Sequence, residues 1–270
     1  MAGSSFTSEH RYGNQGEVYH DDGREQDLLK HIFSLPPREL SQLRNNPKAI
    51  LSTIDKFATS KYLMNVGEMK GLHIVNQIST IRPKLCLELG GYIGYSTILF
   101  GSAVKEAAGG NNAAKYYCLE YNPVFAAIIM ALVDLAGLSD VVKVVIGPST
   151  ESISRLAEEG VLKDGIDFVF LDHLKPLYTP DLKLCESLGL IKVGTVLAAD
   201  NMVKPGNPPY HKYVNMSPSE KAVEAEGKKG AERGDPTLRY ENEWIESWEP
   251  QAVRDALEIS KCVEKVSMEG

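Results

Sequence analysis

Val169-Phe-Leu-Asp-His-Leu-Lys175 and Val196-Leu-Ala-Ala-Asp-Asn201 share one pattern, a short apolar run that stops at a carboxylate followed at once by a second polar side chain. Apolar runs of this length read as strands buried on both faces, the kind that parallel sheets contain. An unpaired carboxylate beside such a core costs several kcal/mol, so Asp172 and Asp200 call for something that neutralises them. Similar runs occur at residues 85–89, 116–120 and 141–146, and segments of helical periodicity, such as 125–135 and 180–188, separate the five. That alternation predicts an α/β fold, a mostly parallel sheet with helices on both faces. Upstream, Leu28, Leu29, Ile32 and Phe33 recur at helical spacing, Pro36-Pro37 interrupt them, and Ile50, Ile54 and Phe57 resume, which predicts helices covering the sheet over residues 26–77. Downstream, residues 239–248 and 256–266 predict two more strands, an antiparallel hairpin at one edge.

The 270 residues are 43% hydrophobic and 24% charged, ordinary for a globular chain with a large core, which excludes disorder throughout. A net charge of -7 argues against nucleic-acid binding, and the expected ligand is small. Cys86, Cys118, Cys185 and Cys262 lie in apolar stretches without zinc-site spacing, so they read as reduced core residues. Neither a signal-peptide core nor a run of ~18 apolar residues is present, so the expected setting is cytoplasmic, with no membrane. Residues 1–24 are too polar to pack and predict a flexible tail; residues 25–270 read as one domain, with 215–237 a mobile surface insertion.

In open α/β sheets ligands gather beyond the carboxyl ends of the strands. After the first strand comes Glu88-Leu-Gly-Gly-Tyr-Ile-Gly-Tyr-Ser96, whose glycines permit a sharp turn and close ligand approach. Its spacing departs from the dinucleotide fingerprint, and Glu88 suits an amino-bearing ligand better than a pyrophosphate. A merely structural turn is the alternative. The second strand ends at Glu120, an acid placed to accept ribose hydroxyls or, alternatively, to balance a helix dipole. Asp172, Asp200 and Asn201 offer only oxygen ligands, the set Mg²⁺ prefers; helix or loop capping is the alternative. His173 lacks companions at zinc-ligand spacing. Lys175 is a candidate proton acceptor, with a solvated loop lysine as the alternative.

These blocks, with Tyr62-Leu-Met-Asn-Val-Gly67, Lys70-Gly71, Tyr178 and Pro205-Gly206, resemble the metal- and S-adenosylmethionine-dependent catechol O-methyltransferase family over residues 50–265. The resemblance implies a Rossmann-like, doubly wound, seven-stranded sheet and transfer of a methyl group to one hydroxyl of a catechol or polyphenol. It implies that Val66, Glu88, Gly90, Tyr92 and Ser96 hold the methionine portion of the cofactor, with Asp172 also on the cofactor side and Met64 near the transferring methyl. Glu120 would bind the ribose, and Tyr121, Ser149 and His173 would surround the adenine. Asp172, Asp200 and Asn201 would hold Mg²⁺, Lys175 would take the proton, and Glu249, counted back from Asp255-Ala-Leu-Glu258, would grip the second hydroxyl. Tyr62, Lys175, Asn201, Pro205, Trp248 and Glu249 would meet the substrate. The family's aromatic pocket wall is altered: Tyr62 and Leu174 replace tryptophans, Trp248 replaces a leucine, and Gly147-Pro-Ser-Thr150 departs from the pattern near the adenine. These changes leave room for a larger catechol ester or thioester. An NAD-dependent oxidoreductase and a catalytically idle nucleoside-binding protein are the readings from other classes. The expected assembly is a monomer or weak dimer.

Overall fold

The computed structural model describes residues 11–110 and 113–267. Four helices come first, α1 (Arg24–Phe33), α2 (Pro37–Leu43), α3 (Pro47–Ser60) and α4 (Gly67–Ile81). Strands and helices then alternate as β1 (Leu85–Leu89), α5 (Tyr95–Ala107), β2 (Lys115–Glu120), α6 (Pro123–Leu135), β3 (Val142–Ile146), α7 (Ser149–Glu158), β4 (Ile166–Leu171), α8 (Tyr178–Ser187) and β5 (Ile191–Ala199). The chain continues through α9 (Pro208–Val214), α10 (Pro218–Glu224), β6 (Leu238–Trp248) and β7 (Arg254–Lys265).

The seven strands lie in the order β3-β2-β1-β4-β5-β7-β6. The first five are parallel; β7 runs antiparallel to β5, and β6 to β7. The hairpin thus reaches the edge through β6, while β7 is an interior strand with Asp255–Ser260 all buried. Strand alternation splits the core into two layers. Phe168, Phe170, Val196, Ala198 and Leu257 face the layer under α1–α6; Val169, Leu171, Leu197, Ala199 and Ala256 face the other. The order reverses between β1 and β4, the switch point at which open α/β sheets have their ligand crevice beyond the strand ends.

Two expectations about peripheral segments need correction. Within the stretch read as a flexible tail, residues 1–10 lie outside the described residues, but Tyr12 is buried and its hydroxyl donates to Asp55 at 2.5 Å. Its backbone N–H donates to Pro250. The segment read as a mobile insertion contains α10, opened by a Ser217–Glu220 capping box. Lys221 is 1% exposed, donates to the Leu238 carbonyl at 3.1 Å, and lies 3.5 Å from Glu186. The Tyr213 and Tyr240 rings, 4.6 and 4.2 Å from its ammonium, complete the enclosure. A charged composition reads as solvated because these partners are distant in sequence. Among the described residues all four cysteines are free and buried, as expected, and no helix is long and apolar enough to cross a membrane.

Candidate active site

On the β1 side, Gly90 turns the chain with φ 87°, and a Cβ there would lie 2.7 Å from the Asp172 carbonyl oxygen. Only glycine lets the β1–α5 loop meet the end of β4 so closely. Glu120, from the end of β2, accepts from the backbone N–H groups of Gly91 (3.1 Å), Tyr92 (2.8 Å) and Asn122 (2.8 Å), which ties the second strand end to the glycine loop. Glu88 is fully buried; burial pushes its carboxyl up to about 7 against the pull of the Ser96 and Thr97 hydroxyls. Its Oε1 has no hydrogen-bond partner among the described residues. A partnerless buried carboxylate oxygen beside a glycine cradle fits the ammonium of a bound amino acid moiety. The Tyr92 hydroxyl donates to Glu25 of α1 at 2.7 Å, and Val66 is buried at the head of α4.

At the end of β4, His173 stacks on Tyr178 at 4.9 Å and meets Asp181 through Nε2 at 3.0 Å. Burial holds its imidazole below the ordinary range, against the pull of Asp181. The Ser149 and Thr150 hydroxyls donate to the same Asp181 carboxylate, at 2.5 and 2.6 Å, so two of the three residues assigned to the adenine, His173 and Ser149, share one organising acid. Tyr121 stands apart, 74% exposed.

The acidic half of the crevice joins the β4, β5 and β7 ends. Lys175 donates to Asp172 at 3.1 Å and to the Tyr178 hydroxyl at 2.6 Å; Tyr178 in turn reaches the Asp200 carbonyl oxygen at 3.3 Å. Burial pushes the Asp172 carboxyl above its ordinary range, with Lys175 opposing the rise and the like charge of Asp200 adding to it. Asn201 takes a left-handed φ of 60° and donates through Nδ2 to Glu249 at 2.8 Å and Asp255 at 3.3 Å, which leaves its amide oxygen for other use. Burial and the like charge of Asp200 push Glu249 up, against the pull of Lys70; burial would also raise Asp255, but Lys70, the hydrogen bond with Glu249 and the backbone N–H groups of Lys204 and Val203 bring it down to about 2. Carboxylates thus outnumber ammonium groups here by two, and the oxygen-only donors of Asp172, Asp200 and Asn201 fit a hard divalent cation.

Tyr62 is buried, and its hydroxyl, pushed up to about 12 by burial, lies near enough to Gln251 to hydrogen-bond and feels Glu249, Lys70 and Asp172. Trp248 is half-buried with Arg254 6.0 Å from its ring; Pro205 is exposed on the turn after Asn201, and Met64 is half-buried against the core. Sequence reasoning assigned no role to Lys70 or Asp181, and Asp255 and Tyr178 entered it only as landmarks. For Lys70 a signal existed: it shares a four-residue spacing with Ile74 and Ile78, the buried row of α4.

A family model described as "Methyltransferase domain" matches residues 87–202. The chain is 39% identical to the catechol O-methyltransferase of Mus musculus over 197 residues, covering 73% of this chain and 69% of the relative. It is also 39% identical to catechol O-methyltransferase B of Danio rerio over 217 residues, 78% of this chain and 80% of the relative. Among solved structures, the O-methyltransferase of Bacillus cereus, in complex with SAH, superposes with a TM-score of 0.55 at 16% identity, over 92% of this chain and 94% of that one, and shares the fold.

Proposed function

This chain belongs to the catechol O-methyltransferase family, and from that premise we propose that it methylates one hydroxyl of a vicinal aromatic diol at the Asp172–Lys175–Asp200 crevice, with Mg²⁺ held by Asp172, Asp200 and Asn201. Membership supports S-adenosylmethionine-dependent O-methyl transfer; the catechol substrate, the metal and the residue roles are the proposal. The observation that carries it is the convergence of two carboxylates from adjacent strand ends with a lysine 3.1 Å from one of them. When bound, S-adenosylmethionine would supply an electrophilic methyl group and Mg²⁺ would acidify the reacting hydroxyl.

Each protein group has a definite duty. Lys175 accepts the hydroxyl proton at Nζ once its own ammonium has released one, and the Tyr178 hydroxyl at 2.6 Å keeps that nitrogen in place. Glu249 accepts the second hydroxyl, Tyr62, Pro205 and Trp248 wall the ring, and Glu88 pairs with the amino group of the cofactor. Glu120 takes the ribose, while His173 and Ser149, oriented by Asp181, border the adenine. Much of the rate comes from holding two reactants in line, worth up to roughly 7–11 kcal/mol. Leu174, which stands where the family carries a tryptophan, is 68% exposed, so the rim is open there, which favours a substrate with a bulky substituent such as a catechol ester or thioester. We place the enzyme in the cytoplasm as a monomer or weak dimer.

The test is transfer of labelled methyl to catechols of increasing size, with Mg²⁺ and with excess chelator. Methylation of catechols and not of monophenols, lost on chelation and restored by Mg²⁺, is expected. Equal transfer to a monophenol, or full activity in chelator, would overturn the reading.

A further inference from the structure

Lys70 takes no part in the chemistry above, yet it occupies the middle of the acidic half. It is 0% exposed, and burying an ammonium is unfavourable unless surrounding charges compensate. Its Nζ lies 2.6, 2.7 and 3.0 Å from carboxylate oxygens of Asp200, Glu249 and Asp255. These three come from separate segments: the residue after β5, the residue after β6 and the second residue of β7. One oxygen from each lies within 4.8 Å of the others, an arrangement that suits a cation, and the cation present is part of the chain. Two glycines let α4 carry Lys70 this deep. A Cβ on Gly71 would come within 2.5 Å of Leu99, and one on Gly67 equally close to Pro250.

Two of the three carboxylates have duties in the proposed reaction. Asp200 Oδ1 accepts both from Lys70 and from the Asn201 backbone N–H at 2.7 Å, so Oδ2 is the oxygen left for a metal. Glu249 Oε1 accepts both from Lys70 and from Asn201 Nδ2. A single ammonium therefore fixes a metal-side and a substrate-side carboxylate relative to each other.

We propose that Lys70 is a positioning residue acting as a built-in second cation of the active site. It fills the three-carboxylate niche that a second divalent ion would otherwise take, and so presents Asp200 to one metal and Glu249 to the second hydroxyl. The duties of Asp200 and Glu249 rest on the catechol-methylation reading; the occupancy of the niche does not.

The experiment is a Mn²⁺ titration of the full chain with S-adenosylhomocysteine present, counting bound ions by electron paramagnetic resonance. Lys70→Ala, which empties the niche, is expected to bind one Mn²⁺ more per chain than the unsubstituted protein, and Lys70→Ala combined with Asp255→Asn to lose that extra ion. Equal counts in Lys70→Ala and the unsubstituted protein overturn the proposal. Lys70→Met, which keeps the volume without the charge, provides a second measurement should the alanine variant not fold. It is expected to raise the catechol KM at least about tenfold, the effect of misplacing one charged contact, with S-adenosylhomocysteine affinity preserved. An unchanged KM overturns the positioning role. Failure of the methylation reading has another signature: no catechol is methylated, while the one-ion difference between Lys70→Ala and the unsubstituted chain persists.

Discussion

Lys175→Ala removes an ammonium held at two points, 3.1 Å from Asp172 and 2.6 Å from the Tyr178 hydroxyl. If that nitrogen receives the proton of the reacting hydroxyl, its loss is the loss of a positioned base, about 10²–10⁴-fold in kcat. In transition-state free energy this is about 3–5 kcal/mol. The two anchors allow a graded comparison. Tyr178→Phe keeps the Asp172 contact and the ring stacked on His173 but deletes one hydrogen bond to a charged group, worth about 1.5–3 kcal/mol, or roughly 10–100-fold. Lys175→Arg keeps the charge yet cannot release a proton, so it should not rescue. Single-turnover methyl transfer at saturating catechol and Mg²⁺ measures all three, and S-adenosylhomocysteine affinity should survive in each, because the altered groups face the acidic half of the crevice. Near-normal turnover in Lys175→Arg would refute the proton-acceptor role.

Asp200→Ala should abolish metal-dependent turnover while cofactor affinity, read by titration calorimetry with S-adenosylhomocysteine, is retained; loss of both together would place Asp200 in the cofactor site. Lys221→Met should destabilise the chain by about 3 kcal/mol in urea denaturation, the low end for breaking a buried pair because Glu186 keeps its Tyr240 and Asp235 donors. An unchanged midpoint would return residues 215–237 to the status of a loose surface loop. Burial holds Glu88 at about 7, above its ordinary 4.5, so the folded cofactor-free chain keeps a proton that the unfolded chain has lost. Stability should therefore fall as pH rises from about 4.5 to about 7, by about 3 kcal/mol from this group. Glu88→Gln should remove that part of the slope, and urea midpoints with the same pH dependence as the unsubstituted chain would exclude it.

Sequence alone determined the alternating strands and helices and the strand ends that frame the candidate site, because both are written in local patterns. Apolar runs ending in Asp172 and Asp200 mark strands and their carboxyl ends, the glycines after Glu88 mark a turn, and Glu120 follows its strand directly. In a parallel sheet every such end points the same way, so local motifs far apart in the chain converge once strand direction is known. Tertiary structure alone decided where charges are buried and what neutralises them. Lys70 meets Asp200, Glu249 and Asp255 across 130, 179 and 185 residues of chain. Tyr12 meets Asp55, and Tyr240 meets Glu186, across 43 and 54 residues. A side chain's periodicity tells which face of a helix it occupies, but its partner depends on which strand lies opposite. Here that was settled by β7 inserting between β5 and β6, which brought Asp255 beneath α4 and turned an ordinary helical lysine into the buried cation of the site.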